Sequence, residues 1–339
     1  MSSQSPPAVD ETDSRGVLPS EPARLLAWFL WAKRNPPADP KNASFAGKTV
    51  LVTGANTGLG FQSALKYAAL GASSLILGVR TIAKGEAAKA EIVRRTKCAP
   101  SIIKVMQVEM SDFASVQAFA EEVSKNVPRL DFVLLCAGLA TPKFAPGPLG
   151  WDLALHVNVL STALLTILLL QKLRETATAT GTSPHLTFVN SLAHMEAKPD
   201  WLDSNRSLLD EINDPSKFNT EDNCKKNSNI IINAACPGLC KTDLTRSWPW
   251  YIKVPGRFFQ TLISRTAEQG SRALVSATLL EPESNGRFWT NDVYSPMGEL
   301  ITSEEGKKLY EKTWAETLSI LQQHVPDIPV DELLNKGSA

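Results

Sequence analysis

The protein has 339 residues, of which 43% are hydrophobic, and it carries 35 basic and 35 acidic side chains. This length and apolar content are enough for one large globular domain or two small ones. A net charge of zero offers no basic surface for nucleic acid, so small molecules or other proteins are the expected partners.

The cysteines indicate reduced thiols rather than disulfides. Five of them are scattered along the chain, at Cys98, Cys136, Cys224, Cys236 and Cys240, and no cleavable secretory signal is recognisable. A cytoplasmic location is therefore expected. The stretch CPGLC could suggest a metal site, but none of the four histidines has ligand spacing to it, so no metal is expected.

Residues 1–44 are predicted to precede the main domain. Residues 1–20 are polar and rich in Pro and Ser, which is typical of a disordered lead. Residues 25–32, LLAWFLWA, are far shorter than the roughly 20 residues that span a membrane. They form either an interfacial helix or a helix packed on the protein, and the packed helix is the favoured interpretation. The linker NPPADPKNAS follows.

From Lys48 onward, strand and helix patterns alternate. Short apolar runs predict strands buried on both faces, at residues 49–54, 74–79, 102–109, 131–138, 185–190, 229–235 and 286–292. The helical patterns between them supply the crossovers that parallel strands require. The sequence therefore predicts an α/β fold with a doubly wound, mostly parallel sheet of the Rossmann type, in a single domain at 45–328 with a tail at 329–339.

Two helix starts and one long apolar segment can be assigned. Ser111 or Asp112 is expected to cap the helix in MSDFASVQAFAEEVSKN, and Ser303 the helix in TSEEGKKLYEKTWAETLSILQQH. Residues 153–170 are almost long enough to cross a membrane, but polar side chains interrupt them, and a buried central helix looks the same. We expect a core helix and no transmembrane segment.

The strongest local signal is the glycine-rich turn in KTVLVTGANTGLGFQSALKYAALGA. A buried strand runs into Gly54, Gly58 and Gly60, and an amphipathic helix follows. Gly54 permits a sharp turn, Gly58 lets the backbone approach a pyrophosphate, and Gly60 permits close helix packing. The amides of the helix N-terminus then face the phosphates. This combination predicts a dinucleotide site.

The spacing TGxxxGxG and the motifs that follow it resemble the short-chain dehydrogenase/reductase family, particularly its fungal and retinol-dehydrogenase-like members. LDFVLLCAG resembles the family's strand ending in Asn-Asn-Ala-Gly, HVNVLSTALL its central helix, FVNSLAH its catalytic serine segment, and CPGLCKTDL its Pro-Gly-x-x-x-Thr segment. The resemblance covers about residues 45–328. It implies an NADP(H)-dependent oxidoreductase that interconverts a carbonyl and an alcohol, in fungal secondary-metabolite biosynthesis.

The resemblance also implies a role for each matching residue. Ser191 is the implied catalytic serine, and Asn158 the active-site asparagine that holds a main-chain distortion. Arg80 lies where the family places a basic residue that binds a 2′-phosphate, and this favours NADP(H). Glu109 replaces an aspartate that contacts adenine. Thr242 would reach the nicotinamide carboxamide. Arg80 could instead be a solvated strand end, and Asn158 a buried hydrogen-bonded asparagine. The other implied cofactor residues are Gly54, Thr57, Gly58, Leu59, Gly60, Cys136, Ala137, Gly138, Pro237 and Gly238.

The sequence departs from the family pattern in two places. Leu135 and Cys136 replace the two asparagines of the Asn-Asn-Ala-Gly motif, so amide contacts made there are partly lost. The second departure is the family's Tyr-x-x-x-Lys pair, in which the tyrosine donates a proton and the lysine lowers its pKa. No tyrosine lies between Ser191 and Pro237. The chain has four, Tyr67, Tyr251, Tyr294 and Tyr310.

By comparison with the family, a helix carrying this pair is missing near Asn223 to Lys226. Three explanations are open: a mis-joined or alternative splice junction, a degenerate relative that binds cofactor without turnover, or a substitute side chain such as Tyr251. The splice junction is the favoured one. Family dimers often use this helix, so homo-oligomer formation stays open. An aromatic cluster favours an apolar substrate, although packing of a short helix explains it equally well: Trp248, Trp250, Tyr251, Phe258 and Phe259.

Overall fold

The computed structural model describes residues 13–195, 207, 209–210, 213, 230–242, 244, 261–298 and 302–328. Its strands are β1 (Thr49–Thr53), β2 (Ser74–Val79), β3 (Ile103–Gln107), β4 (Phe132–Leu135), β5 (His185–Val189), β6 (Ile231–Ala235), β7 (Cys240–Lys241), β8 (Arg265–Thr266), β9 (Phe288–Thr290) and β10 (Val293–Ser295). Its helices are α1 (Pro22–Arg34), α2 (Gly58–Ala69), α3 (Ile82–Thr96), α4 (Phe113–Asn126), α5 (Leu153–Thr180), α6 (Ala267–Ala277) and α7 (Glu304–His324).

The central sheet has eight strands in the order β10-β9-β6-β5-β4-β1-β2-β3. Every neighbouring pair is parallel except β9 and β10. The order reverses between β1 and β4, which is the switch point of a doubly wound sheet. The predicted Rossmann-type α/β fold is confirmed. A separate short sheet pairs β7 with β8.

Two apolar layers cover the sheet, one on each face. Leu51 of β1 belongs to the layer that includes α4, α5 and the end of α7, whereas Val50 and Val52 belong to the layer that includes α2 and α6. All five residues of β1 are buried. Because successive side chains point to opposite faces, a strand that is buried at every position fits only between two layers.

The long helix α5 lies inside the protein. It is long and apolar enough to cross a membrane by length and composition, yet 61% of its most apolar stretch is buried against the rest of the chain. The core helix of a soluble protein has the same length and composition. Leu164, Leu165 and Leu169 are each 0% exposed and belong to the core layer shared with α4. These contacts support the core-helix interpretation over a spanning segment.

Two predicted helix caps are found in the structure. The Asp112 carboxylate accepts a hydrogen bond from the amide of Ala114 at 3.0 Å at the start of α4. The Ser303 hydroxyl accepts one from the amide of Gly306 at 3.0 Å at the start of α7. Each cap satisfies one of the amides that a first helical turn leaves without a partner.

The strand predicted at 286–292 is shorter than expected and forms half of a hairpin. Thr290 ends β9, and Asn291 and Asp292 follow with φ values of +50° and +62°. The chain then returns antiparallel as β10. Two consecutive left-handed residues make a tight hairpin turn, a conformation that Asn and Asp tolerate better than most residues. The prediction of a continuous strand to residue 292 was wrong.

The segment before Lys48 packs on the sheet domain. Trp28 and Ala32 of α1 are 8% and 4% exposed, which agrees with a helix packed on the protein. Residues 13–20, predicted as part of a disordered lead, contact β10, where the Ser295 hydroxyl donates to the Gly16 carbonyl oxygen at 2.6 Å. Residues 1–12 lie outside the described part of the chain.

Candidate active site

The predicted site residues gather at the carboxyl ends of the parallel strands. Gly54 follows β1 and Ala137 follows β4, the two strands at the switch point. A Cβ added to Gly54 would lie 3.0 Å from the Ala137 Cα, so the two chain segments nearly touch. A crevice at this point is where ligands bind in open α/β sheets.

The glycine-rich turn has the geometry that its spacing predicted. Gly54 and Gly58 have φ values of +66° and +57°, a region that side chains disfavour. A Cβ on Gly60 would lie 2.5 Å from the carbonyl oxygen of Gly54, so this position must be bare for α2 to approach the turn. Thr57 is the N-cap residue, and among the described residues no side chain caps α2. The turn fits a pyrophosphate, which backbone amides and the helix dipole would hold.

Thr53 stabilises the junction between β1 and β4. Its hydroxyl oxygen accepts hydrogen bonds from the amides of Cys136 and Ala137, both at 3.0 Å. Backbone amides bind Thr53, so this junction closes even though Leu135 and Cys136 replace asparagines. Burial raises the pKa of the Cys136 thiol to about 12, so it stays protonated and cannot act as a base. The sequence reasoning missed the role of Thr53, whose signal was its place before Gly54.

Asn158 lies in a π-helical turn, His156–Ser161, within α5. The side chain is exposed and bonds twice to one residue of the loop after β4: its Oδ1 accepts from the Leu139 amide at 3.0 Å, and its Nδ2 donates to the Leu139 carbonyl at 2.9 Å. A Cβ on Gly138 would lie 3.3 Å from Asn158 Oδ1. Single π turns inside α-helices are frequently found at functional sites. The exposure is inconsistent with a simple buried structural asparagine.

Ser191 begins the segment after β5, and its side chain is exposed. Its hydroxyl oxygen accepts a hydrogen bond from the Ala193 amide at 3.1 Å, and its own amide donates to Asn190 Oδ1 at 2.7 Å. Ser191 and Asn158 bond to their own neighbours rather than to each other. An exposed hydroxyl at the end of a central strand remains able to donate a hydrogen bond to a ligand in the crevice.

Arg80 and Glu109 form an ion pair at the other end of the crevice. Arg80 follows β2 and Glu109 follows β3, and the guanidinium Nε lies 3.8 Å from the carboxylate. The Arg80 side chain is 59% exposed. The carboxylate also accepts hydrogen bonds from the amide and hydroxyl of Ser111, at 3.0 and 2.9 Å. Arg80 is therefore held at the sheet edge with its charged head toward solvent.

The loop after β6 carries the remaining predicted cofactor residues. Gly238 has a φ of +72°, and Thr242 stands over the glycine-rich turn, since its Cβ lies 3.7 Å from the position of a Cβ on Gly58. The Pro237 carbonyl accepts a hydrogen bond from Arg265, a fully buried residue that the sequence reasoning did not single out. Its only sequence signal is an arginine placed directly before the capped helix α6. Leu59 packs against Gly270 of that helix.

The two cysteines of the CPGLC stretch, Cys236 and Cys240, are not activated thiols. Burial raises the pKa of the Cys236 thiol, and raises that of Cys240 to about 12. Neither is therefore a thiolate at neutral pH. Within the described ranges, no group of three or more potential metal ligands comes together. The aromatic cluster from Trp248 to Phe259 lies outside the described residues, as do Tyr251 and the junction at 223–226.

Comparison with known proteins shows to which family the chain belongs. The model of the short chain dehydrogenases matches residues 48–199. The short-chain dehydrogenase/reductase ffsI of Aspergillus flavipes is 44% identical over 340 positions, which take in 95% of this chain and 99% of that protein. The chain belongs to the short-chain dehydrogenase/reductase family. This short-chain dehydrogenase/reductase is therefore an oxidoreductase by family. A second relative, phmF of Phaeosphaeria nodorum, is 41% identical, and the alignment covers 93% of this chain and 96% of that protein.

Solved structures of other members share the fold of this short-chain dehydrogenase/reductase. A short chain dehydrogenase of Shigella flexneri, in complex with NADP, is 21% identical with a TM-score of 0.50 over 73% of this chain and 98% of that chain. A 3-ketoacyl-(acyl-carrier-protein) reductase of Brucella melitensis, in complex with NADH, is 22% identical with a TM-score of 0.50 over 73% and 97%. At these identities the likeness concerns the fold alone, and members of the fold bind either nucleotide.

Each alignment with a fungal relative has more positions than the number of residues of this short-chain dehydrogenase/reductase that it covers. The A. flavipes alignment has 340 positions, whereas 95% of 339 residues is about 322, so about 18 positions have no counterpart here. The P. nodorum alignment has 333 positions on 93% of the chain, which again leaves about 18. Both relatives therefore contain residues that this chain lacks.

Proposed function

We propose that this protein is an NADP(H)-dependent oxidoreductase that interconverts a carbonyl and an alcohol on an apolar small molecule. The observation that carries the proposal is the turn from β1 into α2. There Gly54, Gly58 and Gly60 leave a bare backbone surface, and among the described residues no side chain caps the helix N-terminus. A pyrophosphate fits such a turn because backbone amides and the helix dipole both favour an anion.

Arg80 supports the choice of NADP(H) over NAD. Its guanidinium is exposed at the end of β2, where the ribose of a dinucleotide lies in this fold. A 2′-phosphate carries between one and two negative charges near neutral pH and pairs well with a planar guanidinium. The 2′-hydroxyl of NAD offers no charge. Glu109 stands 3.8 Å away and keeps the arginine at this edge.

Three residues of the chain would bind or position the substrate and the cofactor. A bound nicotinamide supplies or accepts the hydride. Ser191 is placed to donate a hydrogen bond to the substrate oxygen, because its hydroxyl is exposed at the end of β5. Asn158 holds the π turn against Leu139 and so fixes the floor of the crevice. Thr242, whose Cβ lies 3.7 Å from the Cβ position of Gly58, would bind the nicotinamide carboxamide.

The proton donor expected from the family is a tyrosine after Ser191, and the sequence has none between Ser191 and Pro237. Carbonyl reduction leaves an alkoxide that needs a positioned acid. Tyr67 cannot supply it, because it is 0% exposed, bonds to Thr278 at 3.3 Å, and has its pKa raised by burial. Tyr294 lies in β10 with its ring against Trp289 and Arg287. About 18 positions of each fungal relative have no counterpart here, a number large enough for a helical segment that would include the donor.

A second candidate function is a nucleotide-binding protein without turnover. The absence of any tyrosine between Ser191 and Pro237 favours it if the chain is expressed as written. A mis-joined splice junction remains the favoured explanation, since the sequence resembles the family on both sides of Asn223. The two candidates share the dinucleotide site and differ only in catalysis.

The test compares the chain as written with a restored chain. The transcript is first sequenced across the codons for Thr220 to Ile230, and any in-frame segment encoding Tyr-x-x-x-Lys is returned to the protein. NADPH binding is measured by fluorescence titration, and turnover is measured by NADPH absorbance with a panel of apolar ketones and aldehydes. The restored chain with its tyrosine changed to phenylalanine serves as the matched control.

Each outcome distinguishes the candidates. We expect both chains to bind NADPH, and the restored chain to turn over at least about 100-fold faster, because a general acid contributes roughly 10² to 10⁴ in rate. An uninterrupted transcript together with NADPH binding and no turnover would establish the non-catalytic candidate. Failure of both chains to bind NADPH would contradict both.

The substrate class and setting belong to the same proposal. The fungal origin of the relatives supports a role in secondary-metabolite biosynthesis. The aromatic residues at 248–259 support an apolar substrate. The odd number of cysteines supports a cytoplasmic location. Oligomeric state follows from whether the missing helix is restored, and sedimentation of both chains measures it.

A further inference from the structure

The C-terminal end of α1 is bonded to one buried side chain of the sheet domain. Arg265 lies in β8, directly before α6, and is 1% exposed. Its Nε donates to the carbonyl oxygen of Ala32 at 2.8 Å, and its Nη2 to that of Asn35 at 3.1 Å. The last carbonyls of a helix have no partner within it and form the negative end of its dipole. A guanidinium satisfies both needs.

The same guanidinium reaches the loop after β6. Its Nη1 donates to the carbonyl oxygen of Pro237 at 3.4 Å, and the Arg265 amide donates to the Leu239 carbonyl at 2.8 Å. Gly238, between these residues, has a φ of +72°, and a Cβ there would lie 2.8 Å from Nη1. The position of the guanidinium and the conformation of the loop therefore fix each other.

A third contact fixes the orientation of the guanidinium. Its Nη2 donates to Asn291 Oδ1 at 2.6 Å, and Asn291 Nδ2 donates to the Arg15 carbonyl at 2.7 Å. Arg265 thus joins three segments that are distant in sequence: the N-terminal segment, the loop after β6 and the turn between β9 and β10. Lysine has one donor head and cannot bond to all three in this planar arrangement.

The helix α1 also lies behind the serine segment. Trp28 and Ala32 share one apolar cluster with Leu192, Cys236 and Phe288. Leu192 directly follows Ser191, and Cys236 directly precedes Pro237. Two segments that line the crevice are therefore supported by the same N-terminal helix, which lies outside residues 48–199 that match the family model.

We propose that Arg265 is a positioning residue for the nicotinamide half of the dinucleotide site, and that α1 is the support through which it acts. The inference rests on the proposed NADP(H) function. Arg265 holds Pro237 and Gly238 so that Thr242 stands over the glycine-rich turn. The adenine half, at Arg80, follows β2, four strand spacings or about 19 Å from β6, and makes none of these contacts.

The test uses two probes on the full chain. NADPH occupies both halves of the site, whereas 2′,5′-ADP carries the adenosine and the 2′-phosphate and lacks the nicotinamide half. Dissociation constants are measured by calorimetry for the wild-type chain and for Arg265→Met. We expect the dissociation constant of NADPH to rise about five- to tenfold, because the displaced loop would cost one neutral hydrogen bond between Thr242 and the nicotinamide half. The dissociation constant of 2′,5′-ADP should stay within about twofold.

Two further variants serve as controls. Arg272→Met removes an arginine of α6 that also bonds to the N-terminal segment, at the Pro37 carbonyl (3.3 Å). Arg272 makes no bond to the described residues of the loop after β6, 236–242 and 244. It should leave both dissociation constants unchanged. Arg265→Lys keeps the charge and should give a dissociation constant for NADPH between those of the wild-type chain and Arg265→Met. It also keeps the test decisive if Arg265→Met does not fold, as judged by circular dichroism.

The outcomes separate this inference from the function on which it rests. Equal weakening of both probes by Arg265→Met or Arg265→Lys would mean that Arg265 is merely structural and would overturn the inference. No change in either probe would also overturn it, while the dinucleotide function would stand. A wild-type chain that binds neither probe would overturn the dinucleotide function and the inference together.

Discussion

Replacing Gly60 by alanine tests whether the turn from β1 into α2 is built around a bare backbone. Gly60 lies in α2, where alanine would ordinarily stabilise a helix by about 1 kcal/mol. Here the new Cβ would lie 2.5 Å from the Gly54 carbonyl oxygen and 2.9 Å from its carbon, whereas ordinary contact begins at 3.4 Å. Both atoms belong to the backbone, so the turn itself must move by about 0.9 Å.

The expected cost has two parts. Forcing a side chain into a closely packed site destabilises a protein by about 1–3 kcal/mol, and the helix-propensity gain offsets about 1 kcal/mol of this, which leaves a net loss of up to about 2 kcal/mol. The moved amides would also lose a charge-assisted bond to the phosphates. One such bond contributes about 1.5 kcal/mol or more, so the dissociation constant of NADPH should rise at least about tenfold.

The assay is urea unfolding together with NADPH titration, with Gly71→Ala as the matched control. Gly71 has a φ of +84°, and no atom lies within 4 Å of its Cβ position. Alanine there should cost about 1–2 kcal/mol of stability through backbone strain alone and leave NADPH binding unchanged. A Gly60→Ala protein that is as stable as wild type and binds NADPH equally well would refute the steric reasoning.

Three further predictions concern the ribose, the crevice floor and the pH dependence of stability. Arg80→Gln should lower the preference for NADPH over NADH by about tenfold, measured as the ratio of the two dissociation constants; an unchanged ratio would contradict the 2′-phosphate role. Asn158→Ala removes both hydrogen bonds to Leu139 and should lower the free energy of unfolding by about 1 kcal/mol, because water replaces part of these bonds at this exposed site. Urea unfolding measures the change, and an unchanged free energy of unfolding would count against the π-turn role. Burial lowers the pKa of His185 to about 4, so the unfolded chain binds a proton near pH 6.5 before the folded one does, and stability present above that pH is lost as the pH falls toward 4. At pH 5 this should amount to the order of 2 kcal/mol, and His185→Phe should reduce the difference between urea unfolding at pH 7.5 and pH 5 by about that much.

The sequence alone determined the doubly wound, mostly parallel sheet and the glycine-rich turn, whereas the strand order and its switch point came from the structure. Continuous apolar runs such as Thr49–Thr53 can be buried only between two layers, and the glycines at 54, 58 and 60 have spacing that few other structures require. Asn158 and Ser191 were predicted from local motifs that resemble the family, and their catalytic roles stay predictions. These features can be predicted from the sequence because each depends on residues that lie close together in the chain. The departure at the missing Tyr-x-x-x-Lys pair was visible for the same reason.

Only the tertiary structure decided which distant residues support that site. Arg265 reads as an ordinary surface arginine in sequence, and its burial depends on Ala32, Pro237 and Asn291 coming together from three separate segments. Likewise, Asn291 and Asp292 permit a hairpin turn, but only the structure shows that β10 pairs with β9 at the edge of the sheet. A guanidinium is stable in the interior only when several carbonyls converge on it, and that convergence is a property of the folded chain.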